Sequence, residues 1–123
     1  ELAKIASEKE AKLVLIDSLP VTCEKNIWIK SVSKFSNEIC KVSTKLSKDD
    51  RKPLTKMFLR ITKNNQNVFY VDPHDELCSD GFCQIKINDK PLYTDNSPHL
   101  GWESRFIFKD FFKNQFKEII FKY

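Results

Sequence analysis

The chain has 123 residues, 21 Lys and Arg against 17 Asp and Glu, and a formal charge of +4. This is enough for one domain with a modest core, and 41% hydrophobic against 31% charged residues fits a folded unit better than a disordered tail. With only two glycines, Gly81 and Gly101, a glycine-rich phosphate cradle is excluded, and no apolar run approaches the roughly 20 residues of a membrane span.

The lysines are interleaved with acids, as at Asp49 and Asp50, instead of forming a block. A solvated lysine-rich surface is expected, and no nucleic-acid partner. The sequence opens on Glu1 and its only methionine is Met57. The expectation is a processed chain, or a piece of a longer one whose start and leader lie elsewhere.

In chain order, residues 1–12 place Leu2, Ile5, Ala6 and Lys9 at the spacing of a short amphipathic helix without an N-cap. Leu13-Val14-Leu15-Ile16 is a continuous apolar run before Asp17-Ser18-Leu19-Pro20, which predicts a strand buried on both faces, as in a parallel sheet. Residues 21–48 read as irregular, with a short helix in 28–39 carried by Ile29, Val32, Phe35 and Ile39. Asp49 and Asp50, Pro53 and the series Leu54, Met57, Phe58, Ile61 predict a helix entered at the acids, with proline in its first turn.

Val68-Phe69-Tyr70-Val71 is a second buried strand, ended by Asp72-Pro73. Residues 84–87 alternate as a half-exposed strand; Asn88-Asp89 turns the chain, and Leu92-Tyr93 returns as a short strand. Residues 102–121 read as a long helix with Phe108, Phe111, Phe112, Phe116, Ile119 and Ile120 on one core-facing stripe. Helix, strand, helix, strand, hairpin, helix is the order of a layered α/β domain.

Four cysteines carry further information. Cys78 and Cys83 bracket a Ser-Asp-Gly-Phe turn, and Cys23 and Cys40 a longer excursion. Two disulfides, Cys23–Cys40 and Cys78–Cys83, are the favoured pairing among three, because a glycine turn brings residues 78 and 83 into bridging range. That implies an oxidising compartment. Zinc bound by four thiolates and reduced core cysteines are the alternatives; zinc lacks a second closely spaced pair.

Ligands of open α/β sheets bind beyond the carboxyl ends of strands, where Asp17-Ser18 and Asp72-Pro73 fall. The loop 94–99 carries Asp95 and His99. A carboxylate that accepts the Nδ1 proton of a histidine fixes its tautomer and stabilises its cation, as a general base requires. A surface histidine with a helix-capping neighbour is the plain alternative. His74 reads as a loop residue. Two histidines without paired carboxylates at metal spacing predict no metal site. Trp28 and Trp102 read as core, with a sugar platform as the alternative.

Several of these features occur together. Residues 72–104 contain Asp72-Pro73, the pair Cys78 and Cys83, Leu92-Tyr93-Thr94-Asp95, and His99-Leu100-Gly101-Trp102-Glu103-Ser104. With the apolar strand ending at Pro20 and the cysteines at 23 and 40, the chain resembles the C-terminal part of an SGNH (GDSL-like) hydrolase or acyltransferase domain. The variety it resembles is fused to membrane O-acyltransferases that modify cell-envelope sugars. The resemblance implies a partial three-layer, flavodoxin-like α/β sandwich over residues 1–123, with a short parallel sheet, a disulfide hairpin and a long C-terminal helix. It implies His99 as catalytic base and Asp95 as its orienting acid.

The pattern departs from the family in places. Three residues separate Asp95 from His99 where the family has two, so Asn96 is an alternative occupant of the acid's place. Gly101 stands where serine is usual. The family's Gly-Asp-Ser block is missing, and Ile16-Asp17-Ser18-Leu19 is its nearest match, which makes Ser18 a lesser candidate nucleophile. The function implied is Ser-dependent O-acyl transfer to, or removal from, cell-envelope polysaccharide. This chain would supply the Asp and His, and would be inactive alone. No cofactor is implied, since the membrane domain of the parent would supply the acyl donor. The implied partners are a cell-envelope sugar, the N-terminal half and the membrane domain; the implied location is extracytoplasmic, at the periplasmic face of the inner membrane. A non-catalytic secreted module, stapled by disulfides and binding a glycan or protein, is the second reading.

Overall fold

The computed structural model describes residues 1–20, 23, 40–94 and 99–121. In the N-terminal part, α1 (Leu2–Glu8) leads to β1 (Leu13–Ile16). The chain is next described at β2 (Val42–Ser43), which runs directly into α2 (Thr44–Lys63) and then β3 (Val68–Val71). Strands β1 and β3 pair in parallel, with Leu13 opposite Val68 and Ile16 opposite Val71. Parallel strands need a long crossover, and α2 forms its last part. The short helix expected within 28–39 lies outside the described residues.

Side chains alternate across a strand, which gives the sheet two different faces. Val14, Phe69 and Val71 pack with Phe111, Phe112 and Ile119 of α4 (Arg105–Phe121). Tyr70 points the other way, its ring edge-on to Phe58 of α2 at 6.5 Å. Helices therefore cover both faces, and the layered α/β architecture with a short parallel sheet and a long C-terminal helix is present.

Four local expectations need correction. Strand β1 is half-buried at Leu13, Val14 and Leu15 and exposed at Ile16, because among the described residues only β3 pairs with it. Helix α1 is shorter than expected and buries no residue. Helix α2 starts at Thr44, before the acids at 49 and 50, because Ser43 caps it by accepting from the Leu46 N–H at 3.4 Å. Pro53 consequently lies inside the helix, on the solvent side, where its missing N–H removes one helical bond without burying an orphan carbonyl. In α4, Phe108 and Ile119 are buried and Phe111 and Phe112 half-buried, but Phe116 and Ile120 face solvent, so the core stripe is narrower than expected.

Beyond β3, α3 (His74–Leu77) leads into the hairpin β4 (Cys78–Ser79) and β5 (Phe82–Cys83). Its two-residue turn holds Asp80 at φ 51° and Gly81 at φ 87°, the left-handed pair that matches strand twist and that Asp-Gly supplies. Residues 82–83 belong to this first hairpin; of the expected strand over 84–87 only the second half forms, as β6 (Lys86–Ile87), which begins the next hairpin. Asn88 and Asp89, at φ 48° and 60°, make its turn. The returning strand β7 is Lys90–Pro91, earlier than Leu92-Tyr93, because a two-residue turn fixes Ile87 opposite Lys90.

Strand β2 joins the first hairpin with Val42 opposite Cys83, which brings the two disulfides side by side. Both form as paired in the sequence reading, Cys23–Cys40 and Cys78–Cys83. Leu77, Leu92 and Tyr93 are fully buried in the core around them, with Phe108. Each such side chain contributes about 1.5–3 kcal/mol by leaving water.

Candidate active site

The parallel register places Asp17 and Asp72 next to one another, each one residue beyond its strand. The Asp17 amide donates to the Val71 carbonyl at 2.9 Å. Two adjacent carboxylates repel, and Arg51 of α2 resolves this. Its guanidinium donates to both oxygens of Asp72, at 2.7 and 2.8 Å, and lies 3.1 Å from Asp17 Oδ2. The fork of Arg suits such bidentate pairing. Asp17, buried, also accepts from the Ser18 amide at 2.7 Å, from Thr55 Oγ1 at 2.6 Å and from the Tyr70 hydroxyl.

Electrostatics follow from this packing. Burial alone would raise the Asp72 carboxyl, yet the Arg51 hydrogen bonds and the His74 amide hold it below its ordinary value. Burial opposes the charge on Arg51, but Asp72 and Asp17 push its pKa further up. Burial, then the bond to Asp17, raises the Tyr70 phenol well above its usual range. The carboxyl ends of the two strands, expected to face a ligand, are occupied by the chain's own ion pairs.

His74 is wholly buried, which corrects its reading as a loop residue. Its Nε2 lies 2.9 Å from Ser47 Oγ and its Nδ1 3.4 Å from Asp75, which pairs with Lys48 at 2.9 Å. The order Ser, His, Asp imitates a hydrolytic triad. Ser47 and His74 are both buried among the described residues, which fits a packing role and not an open site. Burial first, then the Arg51 charge, lowers the His74 pKa. His74, Cys78 and Cys83 have ligand atoms within 4.8 Å of one another, but a disulfide holds both sulfurs, and only a thiolate ligates.

The loop of 94–99 is closed at its base. The Thr94 amide donates to the His99 carbonyl at 2.9 Å, and Thr94 Oγ1 to the same oxygen at 3.3 Å. Tyr93 and Leu100 form an antiparallel bridge just inside. The buried Tyr93 donates its hydroxyl to the Pro20 carbonyl at 3.2 Å, fastening the loop to the segment that follows β1. His99 is exposed at this end. Asp95, its expected partner, and Asn96 lie outside the described residues. Ser18 is half-buried at the end of β1, its amide turned to Asp17.

Trp102 is exposed, against the core reading, and carries the Arg105 guanidinium 3.9 Å from its ring centroid; Trp28 lies outside the described residues. A Cβ at Gly101 would lie 3.4 Å from the Leu92 carbonyl oxygen, at the near edge of ordinary contact. The sequence reading missed the Arg51 bridge. Its trace was an arginine two turns into a helix that precedes a strand ending in Asp, following another strand that ends in Asp.

The disulfides are compatible with an extracytoplasmic domain, and no helix among the described residues is long and apolar enough to cross a membrane. No curated protein matches the chain. No solved structure matches it either. A family model, the SGNH domain (fused to AT3 domains), matches residues 1–105. With that coverage, the chain belongs to the family of SGNH domains fused to AT3 domains, domains of the acyl-transfer and esterase type.

Proposed function

We propose that this chain supplies the acid–base part of a Ser-His-Asp site for O-acyl transfer to, or removal from, a cell-envelope polysaccharide. His99 is the base and Asp95 the acid that orients it. The observation that carries the reading is the closure of the 94–99 loop by the Thr94–His99 bond, next to the segment following β1. Loops at this end of a parallel sheet are where α/β proteins place their sites.

In the reaction, His99 takes the proton of a serine hydroxyl as its oxygen attacks the acyl carbonyl. The proton then passes to the leaving oxygen, and an acyl-serine remains. In the second half, His99 deprotonates a sugar hydroxyl, or water, which attacks that ester and frees the serine. Asp95 accepts a hydrogen bond from Nδ1–H throughout, without taking the proton, and stabilises the cation that forms twice.

The serine in this reading lies outside residues 1–123. Ser18 is the lesser candidate, its neighbour Asp17 being held by Arg51. The location proposed is the periplasmic face of the inner membrane, where an oxidising milieu keeps both disulfides. Fluorophosphonate labelling of the full-length gene product tests the reading. It predicts one labelled serine outside this chain, with labelling lost in His99→Ala. Labelling at Ser18, or labelling indifferent to His99, overturns it.

A further inference from the structure

The outward face of α4 has an unusual composition for a solvated helix surface. Arg105, Lys109, Lys113 and Lys117 recur at every fourth residue and are all exposed. Steps of four residues drift by only about 40° around a helix, so the four cations form one stripe roughly 120° wide. Like charges at i and i+4 destabilise a helix. Among the described residues none of the four forms an ion pair, although Lys4, Lys48, Lys86 and Lys90 each find a carboxylate. The helix also carries two exposed acids, Asp110 beside the stripe and Glu118 further round the helix.

Apolar side chains share this stripe. Phe106 is 58% exposed and Ile120 61%; Phe116 also faces outward, and Phe121 ends the helix in the open. Trp102 extends the row by one turn at 76% exposed, with Arg105 stacked between its ring and that of Phe106, at 3.9 and 4.6 Å. The opposite face of α4, through Phe108 and Ile119, is already committed to the core. These outward residues are therefore not a second core stripe of the described fold.

We propose that this face lies on an anionic lipid surface. Cations would meet the headgroup phosphates while the Trp, Phe and Ile side chains enter the boundary with the acyl chains. Helices lying in the membrane interface combine Lys and Arg with Trp, Phe and Leu in this manner, and tryptophan favours that depth. Charge alone would suit any polyanion. The apolar residues among the cations select lipid, because a soluble polyanion leaves them in water.

The test is cosedimentation of the full 123-residue chain with vesicles of phosphatidylcholine, and of two parts phosphatidylcholine to one part phosphatidylglycerol. Binding is expected to the anionic vesicles and to weaken with salt. Each removed cation near the surface lowers affinity about fivefold, so Lys109→Gln with Lys113→Gln and Lys117→Gln lowers it about a hundredfold. Phe106→Ser with Ile120→Ser lowers it by at least about tenfold. All five positions are exposed, and unchanged far-ultraviolet circular dichroism checks the fold; Lys113→Gln alone is the milder variant. Absence of binding to the anionic vesicles, or binding that the triple variant retains, overturns the proposal. Equal binding to heparin that ignores Phe106→Ser and Ile120→Ser also overturns it, in favour of a polyanion surface.

Discussion

Arg51 and Asp72 meet through two parallel hydrogen bonds, 2.7 and 2.8 Å long, while the same guanidinium reaches the buried Asp17. One side chain from α2 therefore binds the ends of both parallel strands. Removing one partner of a buried ion pair strands the other charge. Arg51→Gln is expected to cost about 3 kcal/mol, read as a lower midpoint in urea unfolding. Arg51→Lys should recover only part of this, since a point charge cannot reproduce the fork. An unchanged midpoint in Arg51→Gln would remove the bridge from the account.

Acid should weaken the fold through His74. Its folded pKa lies below 6.5, because burial and Arg51 disfavour the imidazolium more than Asp75 and Asp72 favour it. Below about pH 6.5 the unfolded chain thus binds more protons than the folded one. The contribution of neutral His74 is complete above that pH and is lost as pH falls through the folded value, by at most about 1.4 kcal/mol per unit. Thermal melts from pH 7.5 to 5 should show the decline, and His74→Gln should flatten it. A decline of equal slope in the variant would assign it to other groups.

The two disulfides should differ in worth. Cys23 and Cys40 are separated by 17 positions, Cys78 and Cys83 by 5. Loop-closure entropy predicts losses of about 3 and about 2 kcal/mol when each pair is replaced by serine. Urea unfolding of the two double variants checks the order, and peptide mapping without reductant should recover the same pairs.

Lys12 ties the segment before β1 to α4. Its Nζ donates to the carbonyls of Ile119 at 2.7 Å and Ile120 at 3.0 Å, in the last turn of α4. Among the described residues these carbonyls have no helical donor, and a cation also suits this end of the helix dipole. Lys12→Ala should cost about 1 kcal/mol. Hydrogen exchange at the C-terminal turn of α4 should accelerate with it; exchange that does not change would contradict the capping role.

Much of this was legible from residue type alone. The apolar runs 13–16 and 68–71 named the parallel strands, and Asp80-Gly81 and Asn88-Asp89 named the hairpin turns. The burial of β1 and the start of α2 were less visible. Burial of β1 depends on how many neighbours its edge has, and Ser43 outcompeted two acids for the cap through one hydrogen bond. At the site, sequence marked Asp17 and Asp72 as strand-end carboxylates but not Arg51 as their shared partner. That pairing depends on the phase of α2, and an arginine on a helix is ordinarily a surface residue. His74 was misread for the same reason: its burial comes from Ser47, 27 positions earlier.

The central claim is that His99 is the general base, and acyl turnover by the full-length gene product with His99 altered tests it most directly. Hydrolysis of 4-nitrophenyl acetate, followed in wild type and His99→Ala of equal thermal stability, is the measurement. The account predicts a fall of about 10²- to 10⁴-fold, and no turnover by the 123-residue chain alone above that of its Ser18→Ala form. Full activity in His99→Ala would contradict it.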